Sequence, residues 1–155
     1  MTIYLVRHGR AGNRAAWLGD DEDRPLSDAG HMQARLLVDV LDDAQFEHIL
    51  SSPYVRCMET VVPLAAARRM AVEPAEGLAE GAELAKALEL IRKYAGSGAV
   101  MCTHGDVLPM ILEYARQHGV DLGKNPKCPK GCTWVLETDG TYEIREARYL
   151  PPPSP

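Results

Sequence analysis

The chain has 155 residues, of which 46% are hydrophobic and 25% are charged, and its formal net charge is −5. This length predicts one domain with a sizeable core, and the composition is ordinary for a soluble globular protein. The acidic balance argues against a nucleic-acid-binding surface, and no apolar run approaches the length of a membrane span.

The N-terminal residues lack the basic, apolar and small-residue order of a secretory signal. The four cysteines are too few and too scattered for a disulfide framework, so we expect a reducing, cytoplasmic location. Cys128 and Cys132 raise a zinc alternative, but no second Cys or His pair of suitable spacing accompanies them. Free thiols are the simpler interpretation.

The first third of the chain predicts a strand, a long loop and a helix. Residues 3–6 form a short apolar run typical of a buried strand, and the loop over 9–26 carries an acidic run at 20–23. We interpret that run as a solvated turn, with a metal site as the minor alternative. Ser27 is predicted to cap the following helix, whose apolar side holds Met32, Leu36, Leu37, Val40 and Leu41.

The middle of the chain predicts a second strand over 46–50 and a second helix. Ser52 is the expected cap and Pro53 the first helical residue, which puts Arg56 in the first turn. Pro63 is expected to kink or end this helix. Its apolar side is predicted to carry Val55, Met58 and Val62.

The remaining elements alternate in the same way. A short strand is predicted over 71–73, a helix over 84–95, a strand over 99–103 and a helix over 105–118. Residues 132–137 and 142–149 around Asp139-Gly140 are typical of a β-hairpin. We therefore predict a single domain over 1–150 followed by a Pro-rich tail over 151–155.

This alternation predicts a three-layer α/β/α domain with a mostly parallel central sheet and a C-terminal β-hairpin. Ligands of such sheets bind at the carboxyl ends of the strands. Arg7-His8-Gly9 and His104-Gly105 both follow predicted strands, and Arg56 opens a helix. Arginines and helix N-termini bind anions and repel cations, so a phosphate site ranks above a zinc site built from the two histidines.

The same residues suggest covalent phosphoryl chemistry. A neutral imidazole is a competent nucleophile near pH 7, and neighbouring arginines disfavour its protonated form. They also stabilise the charge of a phosphoryl group during transfer. A carboxyl group is then needed to protonate the leaving oxygen.

Three ordered motifs resemble those of the histidine phosphatase superfamily. They are residues 5–9 (LVRHG) with 24–34 (RPLSDAGHMQA), residues 51–60 (SSPYVRCMET) and residues 103–106 (THGD). The resemblance implies a phosphoglycerate mutase-like fold and no cofactor. It implies that His8 accepts the phosphoryl group and that Arg7, Arg56 and His104 hold it.

The proton donor of this family follows the second motif in a Leu-x-Glu context, which Leu78-Ala79-Glu80 matches. The resemblance therefore implies Glu80 as the acid, with Glu76 and Glu83 as rivals. Many members carry an acidic residue or Gln directly after Arg-His-Gly and a phosphate-binding Asn further on. Here Arg10 takes the first place, and Asn13 or Arg14 is the candidate for the second.

The pattern is most similar to small phosphohistidine-phosphatase-like members and to the phosphatase domain that follows a Nudix domain in some hydrolases. We expect a metal-independent phosphatase acting on a small phosphorylated metabolite or a phosphohistidine protein. The alternatives are a catalytically weak module that binds phosphorylated ligands and a phosphomutase of the same superfamily. The sequence leaves the oligomeric state and the role of Arg10 open.

Overall fold

The computed structural model describes every residue from Met1 to Pro155 and contains ten regular elements. Four are helices and six are strands of one sheet. In chain order they are β1 (Thr2–Arg7), α1 (Asp28–Val40), β2 (His48–Ser51), α2 (Val55–Arg68), β3 (Val72–Pro74), α3 (Leu84–Tyr94), β4 (Ala99–Thr103), α4 (Val107–Gln117), β5 (Thr133–Thr138) and β6 (Ile144–Leu150).

The sheet has the order β3-β2-β4-β1-β5-β6. Its first four strands are parallel, and β5 and β6 form an antiparallel hairpin at the edge beside β1. The predicted mostly parallel sheet with a C-terminal β-hairpin is therefore confirmed. Parallel strands need crossover connections, which α1, α2 and α3 supply.

Helices cover both faces of the sheet because alternate strand residues point to opposite sides. Leu5 and Met101 pack with α3 and α4, whereas Val6 and Val100 pack with α1 and α2. Full burial of each such aliphatic side chain contributes roughly 1.5–3 kcal/mol. The two cores fix the helices against the sheet and so fix the strand ends where side chains leave it.

The predicted buried face of α1 was right in part, and that of α2 was wrong. Leu37 and Leu41 are buried as predicted, together with Gly30 and Ala34, but Met32 and Val40 of α1 are 39% and 38% exposed. Val62 of α2 is 50% exposed. The buried side of α2 is offset by one position and holds Arg56, Cys57, Thr60, Val61, Leu64 and Ala65. Apolar periodicity alone could not distinguish these neighbouring stripes.

The predicted bounds of α2 were also wrong. Helix α2 begins at Val55 rather than Pro53. The hydroxyl of Ser52 accepts the N–H of Tyr54, the residue that precedes the helix. The helix passes through Pro63 and ends at Arg68. Burial of Val61 and Leu64 on either side of the proline offsets the loss of one helical hydrogen bond. No helix is both long enough and apolar enough to cross a membrane.

Candidate functional site

Strand register brings the predicted histidines together. Arg7 lies opposite Thr103 in the parallel pair of β1 and β4, so the next residue of each strand leaves the sheet at the same edge. The imidazole centroids of His8 and His104 are 5.4 Å apart, and the rings are edge to face. The structure thus brings both side chains to one site.

His8 is held in one orientation and kept neutral. Its Nδ1 lies 2.8 Å from the carbonyl oxygen of Gly9, so we assign the proton to Nδ1 and leave the lone pair on Nε2. Burial lowers the pKa of His8 to about 3, against the opposing effect of the Gly9 hydrogen bond, and His104, Arg56 and Arg7 lower it further. At neutral pH the group therefore has the form that a nucleophile needs.

His104 is anchored from behind. Its Nε2 lies 2.8 Å from the hydroxyl of Ser52 and 3.4 Å from the sulfur of Cys57. Nδ1 of the same ring is buried and has no hydrogen-bond partner. If Ser52 donates to Nε2, then Nδ1 carries a proton that remains available for an anion.

The two predicted arginines converge on the same place. Arg7 donates from Nη1 to the carbonyl of Cys128 at 2.6 Å, and its guanidinium packs on Gly105, where a Cβ atom would lie 2.6 Å from Cζ. Arg56 is 1% exposed in the first turn of α2. Nε of each arginine is buried without a partner, and with Nδ1 of His104 these are the only such side-chain atoms in the chain.

A cleft of about 540 Å³ opens over Arg7, His8 and Arg56, whereas the buried His104 lies behind its wall and is not among the lining residues. The cleft is lined by Arg7, His8, Asn13, Arg14, Arg56 and Glu80 among others. Of the three carboxylates considered for the acid, Glu80 lines the cleft, whereas Glu76 and Glu83 do not. The side chain of Asn13 caps a short turn by accepting the N–H of Ala15, while Arg14 contacts Glu80 directly at 3.0 Å.

The segment that carries Glu80 is tied to the end of β4. Thr103 donates its hydroxyl to the carbonyl of Leu78 at 2.6 Å, and Asp106 accepts the N–H of Gly81 at 2.8 Å. Gly81 has a φ of +82°, which favours glycine. These contacts hold the carboxylate of Glu80 between Arg14, at 3.0 Å, and Arg56, at 3.6 Å.

The interpretation of the acidic run as a solvated turn was wrong for Asp21, which contacts three arginines. Arg24 is 6% exposed, and its Nε donates to Oδ1 of Asp21 at 3.0 Å. Oδ2 of Asp21 accepts from Arg56 at 3.0 Å and lies 3.3 Å from Arg14. Partial burial opposes ionisation of Asp21, but hydrogen bonds from Arg24 and Arg56 lower its pKa below the usual value.

Sequence reasoning also missed Lys130 and the contact of Ser52 with His104. Lys130 and Ser52 lie far from both histidines in sequence, so no local pattern indicated them. Asp106 follows His104 by two residues in the third motif, but its contact with Gly81 was not predicted. No group of three or more His, Cys, Asp or Glu side chains is arranged to hold a metal ion. Cys128 and Cys132 are free thiols.

Comparisons with known proteins identify a family and a relative of this chain. The model of the histidine phosphatase superfamily (branch 1) matches residues 3–84. An 8-oxo-(d)GTP phosphatase of Mycolicibacterium smegmatis is 35% identical over 158 residues, an alignment that covers 98% of this chain and 48% of that protein. The chain therefore spans about half the length of this relative.

Two solved structures share the fold. The protein histidine phosphatase SixA complexed with tungstate has a TM-score of 0.78 at 16% identity, covering 97% of this chain and 94% of its own. A mycobacterial glucosyl-3-phosphoglycerate phosphatase complexed with VO3 has a TM-score of 0.72 at 16% identity, covering 96% of both chains. The predicted phosphoglycerate mutase-like architecture is confirmed.

Proposed function

The chain belongs to the histidine phosphatase superfamily, and on that premise we propose that it is a metal-independent phosphatase that works through a phosphohistidine on His8. The observation that carries the proposal is that all three buried, unpartnered side-chain nitrogens belong to Arg7, Arg56 and His104. Buried donors without partners are costly, and an anion bound beside His8 would satisfy them.

The first half-reaction follows from the orientation of His8. Nε2 attacks the phosphorus, and the bond from phosphorus to the leaving oxygen breaks as the new P–N bond forms. Arg7, Arg56 and His104 stabilise the charge on the phosphoryl oxygens. Glu80 gives its proton to the leaving oxygen.

The second half-reaction regenerates the enzyme. Glu80, now a carboxylate, accepts a proton from a water molecule that attacks the phosphorus. The P–N bond breaks, orthophosphate leaves and His8 returns to its neutral form.

The substrate class is a small phosphorylated metabolite or a phosphohistidine protein. Similarity to a SixA protein histidine phosphatase favours the second, and similarity to an 8-oxo-(d)GTP phosphatase favours the first. The cationic lining of the cleft would repel a metal ion, which supports chemistry without one. A cytoplasmic location remains part of the proposal.

Trapping of the intermediate tests the proposal directly. The protein is incubated with labelled acetyl phosphate, and we expect an acid-labile, base-stable label on wild type that disappears in His8→Ala. His118→Ala is the matched control because His118 lies at the far end of α4 and bonds the carbonyl of Tyr114. Absence of label with every phosphate donor would overturn the proposal in favour of a module that only binds phosphorylated ligands.

Turnover distinguishes the remaining alternatives. Hydrolysis of p-nitrophenyl phosphate should persist in a chelator, and loss of activity there would indicate a metal hydrolase. A panel of phosphorylated metabolites and one phosphohistidine protein, assayed with wild type and His8→Ala, identifies the substrate class. Transfer of the phosphoryl group to a second hydroxyl, detected by product analysis, would indicate a phosphomutase.

A further inference from the structure

The charges around the cleft are distributed unevenly. Arg14, Arg24 and Arg56 share the carboxylates of Asp21 and Glu80 in ion pairs of 3.0–3.6 Å. By contrast, Arg7 and Lys130 of the cleft and Arg10 of the adjoining cavity form no ion pair with any carboxylate. The remaining carboxylate of the cleft, Asp106, is bonded to the backbone N–H groups of residues 81 and 107.

A single side chain connects the segments that carry two of these unpaired cations. The amide of Gln33 on α1 accepts the backbone N–H of Arg10 at 2.8 Å and donates to the backbone carbonyl of Lys130 at 3.2 Å. Next to Lys130, the N–H of Gly131 donates to the carbonyl of His8 at 2.9 Å. Arg10 and Lys130 are therefore held on the same face, directly beside the end of β1.

This face continues from the cleft into a second cavity. Lys130 and Ala11 line both the cleft and an adjoining cavity of about 530 Å³, whose other polar lining includes Arg10, Ser27 and Gln33. Partial burial lowers the pKa of Lys130, and the nearby Arg7, Arg24, Arg10 and Arg56 lower it further. An ammonium group in this position gains from any anion that reaches it.

We propose that Arg10 and Lys130 form a second anion subsite, so that the preferred substrate carries a further phosphate or carboxylate beyond the phosphoryl group at His8. This inference rests on the proposed function, because it deepens the choice of substrate for the same cleft. One phosphoryl dianion held by Arg7, Arg56 and His104 leaves Arg10 and Lys130 without a counter-charge. A second anionic group on the same molecule would supply it.

Direct binding tests the subsite without requiring turnover. Calorimetric titration at physiological salt compares methylphosphonate with two diphosphonates, whose phosphorus atoms are separated by one and by three carbons. We expect at least one diphosphonate to bind about tenfold more tightly than methylphosphonate, since one charge-assisted hydrogen bond contributes that much. A carboxylate analogue, phosphonoacetate, shows whether the subsite distinguishes carboxylate from phosphate.

The variants Lys130→Gln and Arg10→Gln should reduce diphosphonate affinity about tenfold and methylphosphonate affinity less than threefold. Lys124→Gln is the matched control, because Lys124 is also exposed in the segment after α4 but lines neither cavity. We expect it to change neither affinity. Equal affinity for mono- and diphosphonates in wild type, or equal losses for both in Lys130→Gln, would overturn the subsite.

Failure of the subsite and failure of the proposed function give different results. Without a phosphohistidine on His8, the labelling experiment fails while the diphosphonate preference persists. Without the subsite, the label forms normally and the preference is absent.

Discussion

Replacement of Asp21 by asparagine tests how the phosphate-binding arginine is held. The Asp21 carboxylate contacts the guanidinium groups of Arg56 and Arg24 at 3.0 Å each, and Arg56 is 1% exposed. Asparagine keeps the shape and one acceptor oxygen but removes the charge. Arg56 would then have only Glu80, at 3.6 Å, as a counter-charge.

The magnitude follows from these contacts. Two unit charges 3 Å apart attract by about 5 kcal/mol at an effective dielectric constant of about 20, before desolvation and side-chain entropy are subtracted. Asp21 retains 33% side-chain exposure, which screens the pair. We therefore expect Asp21→Asn to lower the free energy of unfolding by about 2 kcal/mol, which is about 4–8 °C in Tm for a domain of this size.

A bound anion should partly reverse this loss. Without the Asp21 carboxylate, less negative charge near Arg56 repels orthophosphate, so the affinity of the variant for orthophosphate should rise. A tenfold rise in affinity adds about 1.4 kcal/mol of stabilisation at saturating phosphate, or about 3–5 °C in Tm. Phosphate should therefore raise the Tm of the variant more than it raises that of wild type.

Thermal unfolding with and without orthophosphate measures both effects. Asp23→Asn is the matched control, since Asp23 lies in the same short turn and forms no ion pair. Because the pKa of Asp21 is lowered in the folded state, the difference in unfolding free energy between wild type and Asp21→Asn should have its full value at neutral pH. It should disappear as the pH falls through the range in which Asp21 is protonated. An unchanged Tm at pH 7, or equal phosphate shifts in both proteins, would refute this reasoning.

Three further predictions concern the groups around the cleft. The pKa of His8 is lowered to about 3, so NMR should detect no protonation of its imidazole between about pH 7 and pH 5. The free energy of unfolding should fall as the pH is lowered through that range, because only the unfolded chain binds the proton there. An NMR titration midpoint of His8 between about pH 6 and pH 7 would contradict this. Ser52→Ala removes the hydroxyl 2.8 Å from Nε2 of His104 and should lower kcat/KM for p-nitrophenyl phosphate about tenfold; unchanged kinetics would show that the contact does not orient the ring. Gly81→Ala places a side chain at a φ of +82°, so it should lower the free energy of unfolding by about 1 kcal/mol and lower kcat by moving the proposed acid Glu80. Gly119→Ala, at a φ of +92° just after α4, should cost similar stability without changing kcat. Equal kcat values in the two variants would argue against the prediction.

The sequence by itself determined the order of elements and the four residues at the strand and helix ends. Apolar runs followed by His-Gly identified β1 and β4, and the helix predicted over 105–118 is α4 (Val107–Gln117). These features are local, because a short apolar strand and a helical repeat are encoded by neighbouring residues. The family motifs are local for the same reason.

Only the tertiary structure decided which distant side chains support those residues. We predicted a solvated turn for the acidic run because nothing near it in sequence indicates that Asp21 contacts Arg56, 35 positions later. Lys130 reaches the site through a loop fixed to β1 by backbone hydrogen bonds, and Ser52 meets His104 because β2 and β4 are adjacent. Charge pairing and burial depend on the packed arrangement, and a linear sequence does not specify which separated segments become neighbours.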